Sequence, residues 1–220
     1  MKTALIIPHY YKERRANVSK IVHSVKEWVT KPDEIIVFNN DPHSVLQIMG
    51  ATVINAGRNF GSMARYAAGL ISGVEICVFQ DDDLLLGTAA FFHLTETVQK
   101  YPLAIVGMLG SDFEPGKTYR EKKNVRTNSN EADCNFVLGR VSAMSREVLA
   151  DVFPFIMRRP ELVAAVCNHE DIPASLSRGE VKNKVIPIDF KELDPAGVGL
   201  EKKPAHYELR DKILKAYMEL

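Results

Sequence analysis

The sequence predicts an α/β fold with a central, mostly parallel sheet flanked by helices. Three features carry this: short β-branched apolar runs, amphipathic stretches that alternate with them, and polar residues gathered just after each run. The runs at 4–7, 34–38, 52–54 and 76–79 read as buried parallel strands, which are apolar throughout because helices cover both faces. Between the first two, Ile21, Val22, Val25, Trp28 and Val29 fall on one helical face, and Lys31-Pro32 ends that helix. Met63, Tyr66, Ala67, Leu70 and Ile71 form a second such face, with Asn59 or Ser62 available as its N-cap. A third helix is expected over 88–100. From 111 to 133 the chain is polar and charged without apolar periodicity, which reads as a long excursion over the surface. Regular structure resumes over 135–144, Ser145 caps a short helix, and an amphipathic helix over 206–220 closes the sequence.

At 220 residues and 46% hydrophobic content the chain can bury one substantial core, and a single domain, 1–220, is expected. Lysine plus arginine and aspartate plus glutamate stand at 28 each, so no global field draws the protein to nucleic acid or to an acidic membrane surface. A nucleotide must therefore be held locally. The first apolar run is too short for a signal-peptide core, and no later stretch is long enough to span a bilayer. Cys77, Cys134 and Cys167 are widely spaced and show no paired metal-ligand pattern. A reducing, cytoplasmic setting fits this cysteine usage.

In an open parallel sheet, ligands bind beyond the carboxyl ends of the strands. The residues there are Pro8, His9, Tyr10, Tyr11 and Glu13, then Asn39, Asn40 and Asp41, then Asn55, Gly57, Arg58 and Asn59, and finally Gln80-Asp81-Asp82-Asp83. Four polar strand ends suggest one shared cleft. The acidic triplet is the strongest of these signals, because three carboxylates at the mouth of a buried strand repel one another unless a cation or basic partner neutralises them. Mn2+ or Mg2+ is the simplest such partner. If strand geometry continues through the triplet, Asp81 and Asp83 point to one side and Asp82 to the other. The plain alternative is a solvated acidic turn or a charge cluster at a helix N-terminus.

Ile6-Ile7-Pro8-His9-Tyr10, the segment from Asp33-Glu34-Ile35-Ile36-Val37 to Asn40-Asp41, and Asn59-Phe60-Gly61 up to Gly69 share their order and spacing with a known family. Together with the triplet, which resembles a DXD motif, they make the chain similar to the GT-A glycosyltransferases, nucleotide-diphospho-sugar transferases of Rossmann-like fold. The likeness is to the family 2 enzymes and the exostosin-like glycosyltransferase domain, and it runs over nearly the whole chain. It implies a nucleotide-sugar-binding half at 1–100, and an acceptor-binding half with a C-terminal closing loop and helix at 101–220. Carried over residue by residue, it implies that Pro8, Tyr10, Glu13 and Asp41 contact the nucleoside. Arg58, Asn59 and Arg65 then lie near the base or diphosphate, and the triplet, Asp82 included, forms part of the donor site.

The resemblance extends to the second half of the chain. Asn135-Phe136-Val137-Leu138-Gly139 resembles the family's glycine-containing segment beside the acceptor. His169-Glu170-Asp171 resembles its second acidic motif, which makes Asp171 the candidate general base and Glu170 the second. In inverting members this aspartate takes the acceptor hydroxyl proton. Exostosin-like relatives retain the anomeric configuration and do not use an acid there as a simple base. His206 matches a C-terminal histidine that completes the metal site with Asp81 and Asp83, after a run containing Gly197, Gly199, Lys202 and Lys203. The expected reaction moves a sugar from a UDP- or GDP-sugar to a hydroxyl of a glycan or other acceptor. A nucleotidyltransferase or metal-dependent phosphohydrolase could also use carboxylates after a strand, although no Gly-rich Lys-Ser/Thr phosphate loop is present. A non-catalytic nucleotide- or carbohydrate-binding module is the third reading.

Overall fold

The computed structural model describes residues 1–114, 116–193 and 205–219. The run with Gly197, Gly199, Lys202 and Lys203 lies outside the described residues. In the first part of the chain come β1 (Thr3–His9), α1 (Arg15–Ser24), β2 (Glu34–Asn39), β3 (Thr52–Asn55), α2 (Ala64–Ser72), β4 (Ile76–Gln80), β5 (Leu84–Leu86) and α3 (Thr88–Lys100). Then follow β6 (Val106–Gly107), β7 (Gly110–Asp112), β8 (Lys123–Val125), β9 (Ala132–Cys134), β10 (Phe136–Val137) and β11 (Val141–Ser145). Helices α4 (Arg146–Ile156), α5 (Val163–Val166) and α6 (Asp171–Leu176) precede β12 (Asn183–Val185), β13 (Phe190–Glu192) and α7 (His206–Met218).

One eight-stranded sheet runs in the order β3-β2-β1-β4-β11-β6-β12-β9, so strands from both parts of the chain complete it. β3, β2, β1 and β4 are parallel neighbours, whereas β11 reverses direction between β4 and β6. Alternation along β1 sends Ala4 and Ile6 into a core with Tyr66, Phe79 and Leu149, while Leu5 and Ile7 enter a second core with Ile21, Trp28, Phe91 and Leu94. Burial on both faces is why these strands read as unbroken apolar runs. Each fully buried Leu, Ile or Phe here contributes roughly 1.5–3 kcal/mol relative to exposure.

Several expected details differ. Helix α1 ends at Ser24 and tightens into a 3-10 turn over Val25–Glu27, after which Trp28 is extended (φ −71°, ψ 143°). The helical phase is lost there, so Trp28 still packs against Phe91, with ring centroids 5.5 Å apart, but Val29 points outward at 91% exposure. On α2 the buried residues are Ala64, Arg65, Tyr66, Ala68 and Gly69, and Ile71 is 72% exposed. Arg65 is drawn inward to partners described below, which turns the small residues toward the sheet. A Cβ on Gly69 would lie 2.7 Å from Leu149 Cδ2, so the missing side chain permits this close approach. Neither Asn59 nor Ser62 caps α2, whose N-cap is Met63 with no side-chain bond.

The stretch 111–133 is not a bare excursion either. β10, β7 and β8 form a three-stranded sheet, and Phe113 and Tyr119 are buried against Phe136, with Phe113 stacked on it at 4.7 Å. Two aromatic residues too far apart for a visible period supply the apolar side of this piece. β5 and β13 pair as a further antiparallel ribbon that the sequence does not announce. The expected cap of α4 is present, with Ser145 Oγ accepting from Val148 N at 3.2 Å. No helix among the described residues is long and apolar enough to cross a membrane.

Candidate active site

Because β1 to β4 run parallel, the segments after them emerge along one edge of the sheet, and the acidic triplet lies there. β4 ends at Gln80, so Asp81-Asp82-Asp83 form a turn rather than a strand, and side-chain alternation does not govern them. Each carboxylate has its own basic partners instead. Asp81 Oδ1 accepts from Arg65 Nη2 at 2.8 Å. Asp82, 5% exposed, is clamped from behind by His9 Nδ1 at 2.7 Å and Arg14 Nη1 at 3.1 Å. Asp83 Oδ2 lies 3.2 Å from Arg14 Nη1, and Arg140 Nη2 stands 3.8 Å from its Oδ1. Like-charge repulsion in the triplet is thus answered mainly by guanidinium groups. Asp82 is held in the turn by His9 and Arg14, and it shares the Arg14 Nη1 with Asp83.

Two carboxylates of the turn remain under-satisfied. Asp83 Oδ1 is buried and accepts no hydrogen bond among the described residues, and burial raises its proton affinity. Asp81 is 28% exposed, and burial pushes its pKa up to about 6 against the lowering effect of Arg65. A buried oxygen without a donor beside a partly open carboxylate fits a hard divalent ion that takes few protein ligands. The third expected ligand, His206, packs its ring on His169 and Tyr207, with centroids 5.0 and 5.2 Å away. Among the described residues no three His, Cys, Asp or Glu side chains converge as a metal-binding group. The fit therefore rests on Asp81 and Asp83.

Arg65 ties the triplet to the second acidic motif. Its guanidinium binds Asp81, donates to the carbonyl of Gly139, and lies 3.4 Å from Glu170 Oε1. Ser62 Oγ donates to the other Glu170 oxygen. Glu170 is buried, and burial pushes its pKa up to about 7, with Arg65 opposing the rise and Asp171 adding to it. Gly139 takes part through its carbonyl in the turn between β10 and β11. A Cβ there would make only ordinary contacts with Glu170 and Arg65, at 3.5 and 3.7 Å, so its missing side chain is not what brings the chains together.

Asp171 is differently placed. Its Oδ2 accepts from Arg210 Nη2 at 2.7 Å, and its Oδ1 accepts from the Ile172 backbone at 3.1 Å, all in buried surroundings. Arg210 in turn stands 4.3 Å over the Tyr119 ring. Both oxygens of Asp171 are thus engaged, one by a guanidinium and one by the backbone at the start of α6.

The remaining expected donor contacts lie along the same edge. Pro8 sits within β1 opposite Phe38, and Tyr10, 42% exposed, meets Tyr11 edge-on at 5.0 Å. Glu13 is exposed in a 3-10 turn. Asp41 closes a local turn, accepting from the His43 backbone at 3.0 Å and from Ser44 Oγ at 2.6 Å. Arg58 covers the Phe60 ring at 4.5 Å, and Asn59 Oδ1 accepts from Gly61 N at 2.7 Å. Several polar strand-end residues serve the loops rather than a ligand. Asn39 and Asn55 clasp each other and the loop at Ser44 and Leu46, and Asn40 bonds Phe60 and Gly61. Sequence reasoning missed Arg14, Ser62, Arg140, Arg210 and Tyr119.

Gly61 is where the loop before α2 touches the segment before α6. Its φ is +72°, and a Cβ would lie 2.2 Å from the Cys167 carbonyl oxygen. Gly61→Ala is expected to lower stability by about 1–3 kcal/mol through backbone strain alone, with a further loss from the clash, read as a lower denaturant midpoint.

The elevated Glu170 pKa also sets a pH dependence. In the unfolded chain the group titrates near its ordinary 4.5, so between that pH and about 7 the folded state holds the extra proton. Stability from this group is complete below pH 4.5 and falls as pH rises through 7. Buried His169, pushed down to about 4 mainly by burial, works in the opposite direction between 4 and 6.5. The discriminating measurement is therefore a difference: wild type should lose more melting temperature than Glu170→Gln between pH 5.5 and 7.5.

The central, mostly parallel sheet flanked by helices is that of a GT-A glycosyltransferase fold. Among solved structures the chain is similar to GalNAc-T7 crystallised with UDP, GalNAc and Mn2+, with a TM-score of 0.64 and 11% identity, covering 85% of this chain and 42% of that one. It is also similar to S. aureus TarS, with a TM-score of 0.56 and 14% identity, covering 85% of this chain and 35% of that one. The chain thus spans less than half the length of either protein. No family model matches the sequence, and no curated protein matches it.

Proposed function

We propose that the protein is a metal-dependent glycosyltransferase that moves a sugar from a nucleotide diphosphate to an acceptor hydroxyl. The observation that carries this reading is the under-satisfied pair Asp81 and Asp83, joined through Arg65 to a buried, protonatable Glu170. Held by Asp81 and Asp83, Mn2+ or Mg2+ would supply positive charge for the departing diphosphate. Arg65 positions Asp81, Glu170 and the Gly139 carbonyl relative to one another, and Arg14 and Arg140 hold the turn. Pro8, Tyr10, Glu13 and Asp41 are proposed to hold the nucleoside, with Arg58 and Asn59 beside it. Glu170 replaces Asp171 as the leading acid–base group, because its proton affinity lies near neutrality and Asp171 is occupied by Arg210. Asp171 orients the start of α6. His206 stays a proposed third ligand.

The test is a thermal-shift screen of UDP-, GDP-, CMP- and dTDP-sugars with and without Mn2+, since selective binding raises apparent stability by mass action. One donor should stabilise the protein more with the metal than without, and Asp83→Asn should remove that increment. Equal shifts with and without metal in both proteins would count against the assignment of the turn.

A further inference from the structure

Arg140 stands between two carboxylates, and it is bonded to the one outside the acidic triplet. Its Nη1 donates to Glu192 Oε1 at 3.1 Å, whereas its Nη2 lies 3.8 Å from Asp83 Oδ1, beyond hydrogen-bond range. That near miss leaves Asp83 Oδ1 buried with no donor among the described residues. Main-chain bonds fix the three residues relative to one another. Asp81 N donates to the Arg140 carbonyl at 3.0 Å, Leu193 N donates to the Asp83 carbonyl at 2.7 Å, and Glu192 pairs with Leu84 across β13 and β5. Phe190 and Glu192 share one face of β13, and the Arg140 guanidinium lies 6.0 Å from the Phe190 ring. The side chain nevertheless keeps room to move: Arg140 is 36% exposed, against 11% for Arg14 and 5% for Arg65. Its partner Glu192 is itself 40% exposed, so their bond is of the screened surface kind that exchanges at little cost.

We propose that Arg140 is a positioning residue that competes with a divalent cation for Asp83, and that Glu192 holds it aside so that the cation can bind. That the cation belongs at Asp81 and Asp83 rests on the proposed function. Swung toward Asp83, the guanidinium neutralises the carboxylate that the cation needs. Held on Glu192, it leaves Oδ1 to the cation. Metal affinity is thus set by which of two carboxylates takes one guanidinium, and because Glu192 belongs to β13, the seating of that ribbon tunes the acidic turn. Arg14 and Arg65 do not act in this way. Both are enclosed and already pair with the triplet, at 3.2 Å from Asp83 and 2.8 Å from Asp81, so their charges are a fixed part of the turn.

The experiment titrates the full chain with Mn2+ alone and reads free Mn2+ by electron paramagnetic resonance, with Asp83→Asn as the control for the site. Arg140→Gln removes a unit charge that stands 3.8 Å from a ligating oxygen. It is expected to bind Mn2+ at least about fivefold tighter than wild type. Arg140→Lys, which keeps the charge, should not reproduce that gain. Glu192→Gln has the opposite sign: it releases Arg140 onto Asp83, and Mn2+ should bind at least about threefold more weakly. Plain loss of the Glu192 charge would weaken binding equally with or without the arginine. The decisive comparison is therefore Glu192→Gln in the Arg140→Gln background, where the loss should be smaller. A merely structural role for Arg140 would weaken binding on substitution rather than tighten it. The competition is overturned if Arg140→Gln binds Mn2+ no tighter than wild type, or if Glu192→Gln costs as much in both backgrounds. Unchanged Mn2+ binding in Asp83→Asn, or none in any of the proteins, removes the metal-site reading and the competition with it. Binding that depends on Asp83 but not on Arg140 removes the competition alone.

Discussion

Asp81→Asn is expected to lower sugar transfer by about 10²–10³-fold, the range found when one preorganised electrostatic partner of a reacting group is removed. The substitution keeps the shape of the side chain and takes away its charge. Arg65 loses one of its carboxylates but keeps Glu170 and the Gly139 carbonyl, so the fold should survive with a modest drop in melting temperature. Initial rates with the donor found in the thermal-shift screen provide the measurement, at saturating Mn2+. A rate within a few-fold of wild type would remove Asp81 from the chemistry and return the triplet to a solvated acidic turn. Asp82→Asn should behave differently, losing stability before activity, because Asp82 is buried against His9 and Arg14.

The second large effect is on stability. Arg65→Met should cost about 3–5 kcal/mol, because removing one partner of a buried pair leaves the other charge uncompensated. Here two carboxylates and a carbonyl are left at once. Some of the loss should return in Arg65→Met/Glu170→Gln, where one of the two stranded carboxylates is gone, and the double-mutant cycle isolates that coupling. Urea midpoints measured with the four proteins decide it. If Arg65→Met unfolds where wild type does, the arginine does not hold the two acidic motifs together.

The first part of the chain was legible because burial on both faces forces short apolar strands, and each strand end could be inspected in turn. The triplet stood out for the same reason. What the sequence concealed was which cation meets which carboxylate, since such pairs join residues far apart, as Arg65 and Glu170 do. One of them left a trace. Arg210, Ile213, Leu214 and Tyr217 fall at helical spacing on the buried face of α7, so a charged residue occupies a position in an apolar stripe. That pattern announces a buried partner, which proves to be Asp171. The strand alternation argument failed at Asp81 because the chain turns one residue earlier. The small sheet of β7, β8 and β10 stayed hidden because its core is built from Phe113, Tyr119 and Phe136, scattered through a polar stretch.

Arg65 touches one carboxylate from each acidic motif, and this couples them. Whatever neutralises Asp81 frees more of the arginine's field for Glu170, and a stronger field makes Glu170 give up its proton more readily. By reciprocity, a deprotonated Glu170 changes how tightly the Asp81 end is filled. A change of charge at either acidic motif is thus felt at the other through a single guanidinium.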